Sequence, residues 1–184
     1  MKRIATVTAF ALAVQPVLAE TVCEPLTEDL SICSDDEFGP TAQEDGRTGV
    51  RVEVDEILAW TTFFAGPPLR TPSDLDEEMA LNASLVLARG TTRFGTALPG
   101  LSRFDQALTH AYFAWNDEWG WEFVIVVHIA VVDGVPVTIQ FMQRNTEGVE
   151  QRLADFVAAA EALLSRPDGT PILAVLDTPE GRTE

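Results

Sequence analysis

The feature that most constrains this chain is a long apolar run broken by one turn signal. Phe123 to Val132 is almost wholly apolar, Asp133-Gly134 follows, and Val135 to Met142 resumes the pattern. Read as one segment, it resembles a membrane span. His128, Asp133 and Pro136 argue against that, and a hairpin accounts for all three, because Asp-Gly is a favoured pair for a two-residue type I′ turn. Such a turn pairs Val132 with Val135, Ala130 with Val137, His128 with Ile139 and Val126 with Phe141. On the opposite face Ile129 meets Thr138 and Val127 meets Gln140. The first strand is then apolar on both faces, which places it in the middle of a sheet.

The other elements are read around this hairpin. Val50, Val52 and Val54 alternate with Arg51, Glu53 and Asp55, the period of a half-buried strand. A second strand over Ile57 to Phe64 ends at Gly66-Pro67-Pro68. Thr71-Pro72 begins a helix, with Asp74, Asp76, Glu77 and Glu78 in its first turns and Leu75, Met79 and Val86 near one face. Residues 81–89 fit helix or strand. Leu101, Phe104, Leu108, Ala111 and Trp115 recur at steps of three and four after Ser102-x-x-Asp105, which predicts a helix. The rival is a strand over 111–115 that turns through 116–120. Val149 to Ser165 predicts a helix with a stripe of Leu153, Phe156, Val157, Ala160, Leu163 and Leu164, and with Gln151, Arg152, Asp155 and Glu161 off it. Arg166-Pro167-Asp168-Gly169 ends that helix, and Ile172 to Leu176 can add an edge strand. The expected class is α+β: a central antiparallel sheet packed by amphipathic helices, with the C-terminal helix closing the core.

The N-terminus reads as an export signal. Met1-Lys2-Arg3 is basic, Ile4 to Val14 is apolar and uncharged, and Val17-Leu18-Ala19 suits signal peptidase, with cleavage before Glu20. The expected division is a signal over 1–19, an acidic lead-in over 20–49, one globular domain over 50–176 and a frayed tail over 177–184. Of the 12 cations in the chain the signal takes two, leaving ten arginines against 29 acids and no lysine. A lysine nucleophile or Schiff base is then excluded, and so negative a chain repels nucleic acid and anionic headgroups. No membrane span is expected after cleavage. Nine acids and no base lie between Glu20 and Gly46, which reads as a loosely structured segment. Cys23 and Cys33 are the only cysteines, and in an oxidising compartment they are expected to bridge.

Few constellations suggest chemistry. The two histidines, His110 and His128, have no His-x-x-x-His or Cys-x-x-Cys company, so neither a metal site nor a cofactor is expected. By the hairpin register His128 faces apolar surface and reads as a core histidine satisfied by one partner. Ser84, Ser102 and Ser165 lack a nucleophile motif, and no phosphate loop occurs. No catalytic residue can be assigned. The candidate contact site is the aromatic turn. Tyr112, Phe113, Trp115, Trp119 and Trp121 fall within ten residues, interrupted by Asn116, Asp117, Glu118 and Gly120. Trp115, Asp117, Glu118, Trp119 and Trp121 are the residues expected to touch a ligand or partner, because tryptophan beside carboxylates suits a sugar face, a cation or a protein hot spot. Core packing at the end of the hairpin is the alternative.

The stretch FVIVVHIAVVDGVPVTIQFMQ followed by VEQRLADFVAAAEALLS resembles the PsbP-like group, including bacterial DcrB-type periplasmic proteins. That resemblance implies an α+β sandwich and an accessory role without catalytic residues. The function expected on these grounds is an exported, non-catalytic periplasmic accessory or binding protein, with an envelope protein or small ligand as partner. The alternative is a small periplasmic hydrolase using Asp117 and Glu118 with a histidine. A pocket uniting those carboxylates with His110 would favour it, and solvated carboxylates would count against it.

Overall fold

The computed structural model describes residues 21–54, 60–88, 92–118 and 120–173. The expected signal, Trp119 and the expected tail lie outside them, as do residues 55–59 of the expected strand pair. Ten strands and two helices are present among the described residues: β1 (Val22–Pro25), β2 (Ser31–Ser34), β3 (Ala42–Glu44), β4 (Arg47–Val52), β5 (Thr61–Ala65), α1 (Ser73–Ala88), β6 (Thr92–Ala97), β7 (Ala107–Asn116), β8 (Trp121–Val132), β9 (Val135–Arg144), α2 (Val149–Ala162) and β10 (Leu164–Ser165). The larger sheet runs β3-β4-β5-β9-β8-β7-β6, and all its pairings are antiparallel. The α+β class is as expected.

The hairpin has the register that its turn demands. Val132 pairs with Val135, His128 with Ile139 and Val126 with Phe141. Asp133 and Gly134 both take positive φ, 51° and 81°, as a type I′ turn requires. Strand β9 is the middle strand of the seven and β8 lies beside it, so both faces of β8 are covered. On one face Val124, Val126, Val137, Ile139 and Phe141 meet Leu153, Phe156 and Val157 of α2. On the other, Val127, Ile129 and Tyr112 meet Met79 and Val86 of α1. Residues 81–88 are helical, and Ala83, Val86 and Leu87 pack toward the sheet.

Each layer is also pinned by a buried polar group. Under α1, Glu78 Oε1 receives Arg47 Nη1 at 2.5 Å, Asn82 Nδ2 at 2.9 Å and Thr138 Oγ1 at 3.3 Å, and Gln140 Nε2 donates to Asn82 Oδ1 at 3.1 Å.

Two expectations need correction. The helix expected over 101–115 is instead a loop over 101–106 followed by strand β7, whose ten residues all pair with β8. Steps of three and four there coincide by chance with a strand that has apolar residues on both faces, and the long partner strand decides the matter. The acidic segment is not loose. Strands β1, β2 and β10 form a second antiparallel sheet, and Leu30 and Ile32 are fully buried in the α2-side core. The pairing of Cys23 with Cys33 is as expected: they are cross-strand partners, bridged, with Cα atoms 4.1 Å apart. The acids occupy the exposed positions of these strands and turns, so charge density did not prevent folding.

Candidate functional site

The aromatic residues sit at the turn end of the β7–β8 hairpin, and register sorts them between its faces. Trp115 pairs with Glu122 and Asn116 with Trp121. Side chains alternate along a strand and paired residues share a face. Trp115 and Phe113 therefore lie on the α2 side, and Tyr112, Trp121 and Phe123 on the α1 side. The expected contact site that included both Trp115 and Trp121 is thus divided between two separate surfaces.

On the α1 side, Tyr112 is 3% exposed and belongs to the core, and burial pushes its hydroxyl pKa above the usual tyrosine value. Trp121 is half-buried, with the Phe123 ring edge-on at 6.0 Å and the Arg144 guanidinium 5.2 Å above it. On the α2 side Phe113 packs on the core, whereas Trp115 is 50% exposed. Opposite it, Glu122 Oε2 accepts from Asn145 Nδ2 at 2.6 Å. Asp117 and Glu118 are exposed in the connecting turn. The surface therefore combines a half-exposed indole with Glu122 opposite it and with Asp117 and Glu118 in the turn that follows, residue types that suit contact with a cation-bearing partner.

The histidines do not join it. His110 lies seven residues before Asp117 on an extended strand, roughly 23 Å away at about 3.3 Å per residue. His128 is fully buried on the α2 face. The cavity beside His110, about 270 Å³, is lined by Ser102, Asp105 and Thr109 rather than by Asp117 or Glu118. The solvated carboxylates and distant histidines remove the geometric basis of the hydrolase alternative.

His128 has two partners where one was expected. Its Nδ1 is 2.8 Å from Thr109 Oγ1, and its Nε2 is 2.9 Å from Glu161 Oε1. Glu161 also accepts from Ser102 Oγ and, at 3.0 Å, from the Arg103 amide. Burial alone would raise the Glu161 carboxyl. The bonds from His128, Ser102 and Arg103, together with the nearby His128 charge, outweigh it and hold the pKa below the ordinary 4.5. Ser102 Oγ in turn accepts from the Phe104 amide at 3.0 Å. Its proton goes to Glu161 and not to His128, so these residues anchor the 101–104 loop to α2 and are not arranged as a nucleophilic triad. Glu161 was placed off the helical stripe; it is fully buried. Its position four residues after Val157 and eight after Leu153 was the signal available in the sequence. Among the described residues, no group of three or more His, Cys, Asp and Glu side chains could hold a metal ion, and no helix is long and apolar enough to cross a membrane.

The architecture defines an antiparallel sheet with one helix on each face. No family model and no curated protein matches the chain. Among solved structures, it is similar to the Saccharomyces cerevisiae Ran-binding protein Mog1p, at 14% identity over 80% of this chain and 95% of that one, with a TM-score of 0.47. At this level the likeness carries neither partner nor activity to this chain. The expected assignment as an exported periplasmic accessory or binding protein is corrected here and not carried forward. The finding set against it is that the similar solved structure bears the name of a Ran-binding protein. None of these matches bears on the resemblance to the PsbP-like group.

Proposed function

We propose that this chain is a protein-binding module that holds a basic segment of its partner at the turn end of the β7–β8 hairpin. The observation that carries this reading is Trp115, half exposed on a rigid strand end and set among Asp117, Glu118 and Glu122. Exposed tryptophan is the residue type most enriched where binding energy concentrates, and it offers an arginine or lysine both a π face and, here, neighbouring carboxylates. The chain's net charge of −17 adds long-range attraction for a cationic partner. Trp121 displays the same chemistry internally, under Arg144.

The test is titration with an arginine-rich peptide, monitored by tryptophan fluorescence, in wild type and in Trp115→Ala. The variant is expected to keep its thermal midpoint, since exposed positions change stability by about 0.5 kcal/mol or less, and to bind at least about fivefold more weakly. Equal binding by the two proteins would remove the site.

Export is a separate proposal about where the chain works. The basic and apolar N-terminus supports it, as does the disulfide, a bond that persists in oxidising compartments.

A further inference from the structure

We infer that the Cys23–Cys33 bridge is a redox clasp on strand β1: a dithiol reductant frees β1 as a hinged segment and opens the groove behind it, while the rest of the domain stays folded. The inference is independent of the Trp115 surface. Strand β1 is the outer edge of the sheet β1-β2-β10, so it is hydrogen-bonded on one side only. All four of its residues, Val22–Pro25, are exposed, and none belongs to the core. A strand that buries no side chain, and that ends in a proline with no N–H to donate, holds weakly to its neighbour once the cross-link is gone.

Strand β2 is the opposite case. Ser31, Ile32, Cys33 and Ser34 are all buried. Strand β10 pairs along its other edge, with Leu164 opposite Ile32, and the Cys33 amide donates to the Leu163 carbonyl at 2.9 Å. The boundary between the two strands falls at Leu26, which packs against the core. The amides of Leu26 and Thr27 both donate to the Leu30 carbonyl, so this turn stays in place and serves as the hinge. Beyond the ladder and the bridge, Thr21 Oγ1 donates to Asp35 Oδ1 at 2.6 Å, a bond on exposed surface. Six acids and no base lie between Thr21 and Glu37, so charge repulsion also favours the departure of β1.

Exposure sets the route of the exchange. Cys23 is exposed whereas Cys33 is buried. Gly169 brings no side chain over the Cys23 sulfur, where even a Cβ would stand 3.7 Å away. One thiolate of the dithiol attacks Cys23 Sγ. A new S–S bond forms there as the Cys23–Cys33 bond breaks, and the electron pair leaves on Cys33 Sγ, which takes up a proton. The second thiolate then attacks the reductant's own sulfur in this mixed disulfide. Cys23 leaves as a thiol, and the reductant departs as its disulfide, two electrons poorer. One bridge supplies less than the stability typical of a domain, so the core survives its loss. Glu24, Pro25 and Leu26 form one wall of a groove of about 340 Å³, and Phe38, Gly39, Thr41 and residues 48–51 form the other. Swinging β1 out at Leu26 removes Glu24 and Pro25 from that wall and uncovers the outer edge of β2.

The experiment is NMR of the full chain, oxidised and then reduced with dithiothreitol, with Cys23→Ala as a second arm that needs no reductant. In both arms the Cα shifts of residues 22–25 are expected to fall to random-coil values. Resonances of residues 48–51, across the groove, should move with them, and those of β2 and α2 should keep their folded dispersion. Amide exchange at 22–25 should quicken by about a hundredfold or more relative to 31–34, as expected of a local opening. Reoxidation should restore the first spectrum. Strand shifts retained at 22–25 in either arm would make the bridge a staple and overturn the inference. Loss of the folded resonances of β2 or α2 together with those of β1 would overturn it as well.

Discussion

Glu161 is a carboxylate without exposed surface, and it remains ionised because three donors converge on it. Removing the acceptor strands a histidine, a hydroxyl and an amide together. Glu161→Ala is therefore expected to cost about 3–5 kcal/mol in urea unfolding, and Glu161→Gln roughly half of that, because the amide oxygen still accepts. The pH dependence has a definite sign. The folded pKa lies below the ordinary value of 4.5. Ionised Glu161 thus contributes stability that is fully present above about pH 4.5 and is lost as pH falls through the folded pKa. The gap in stability between wild type and Glu161→Gln should be full at pH 7 and close progressively below about pH 4. A gap that widened on acidification would mean that the carboxyl is not held ionised. The histidine was legible in the sequence as a core residue. Its partners were not, because Thr109 lies in a segment that reads as helix and Glu161 reads as off the buried stripe of α2.

Among the elements, the β8–β9 hairpin is the best specified. Its turn pair, its two-sided apolar strand and its register all follow from local residues. Two variants check it. Gly134→Ala places a Cβ in a left-handed conformation at φ 81°, so about 1 kcal/mol should be lost with little change elsewhere. Val126→Asp buries an unpaired charge at a fully enclosed position and should cost several kcal/mol, enough to leave much of the protein unfolded. A thermal midpoint near wild type would mean that the strand is peripheral. Strand β7 is the counterexample. Its residues Ala107 to Asn116 satisfy a helical period by spacing alone, and only pairing along the whole of β8 selects the strand. The same pairing separates Trp115 from Trp121. Their nearness in sequence suggested one patch, whereas alternation along the paired strands sends them to opposite faces.

At the scale of the molecule, the acidic N-terminal segment is part of the structure it was expected merely to precede. Sheet β1-β2-β10 ties it to the end of α2, with Leu164 opposite Ile32. The Cys23–Cys33 bridge closes a short loop within that sheet. Its reduction should lower unfolding free energy by about 3 kcal/mol on loop-closure grounds, which urea titrations with and without a dithiol can measure. Free thiols in the purified, unreduced protein would contradict the bridge. The export proposal is checked independently by the N-terminal residue of the protein recovered from its native host. Glu20 is expected, and a chain beginning at Met1 would refute it.

The sequence by itself determined whatever depends on neighbours along the chain: the Asp-Gly turn, the hairpin register, the amphipathic stripe of α2, the acid-rich start of α1 and the cysteine pair. Tertiary structure alone decided which distant groups meet. It brought Glu161 to His128 across 33 positions and Arg47 to Glu78 across 31, assigned β7 to the sheet, and drew Leu30 and Ile32 into the core. The physical reason is the same throughout. A local period reports which face of an element is apolar, whereas the partner for a buried charge, and the strand that completes a ladder, are chosen by packing between segments far apart in the chain.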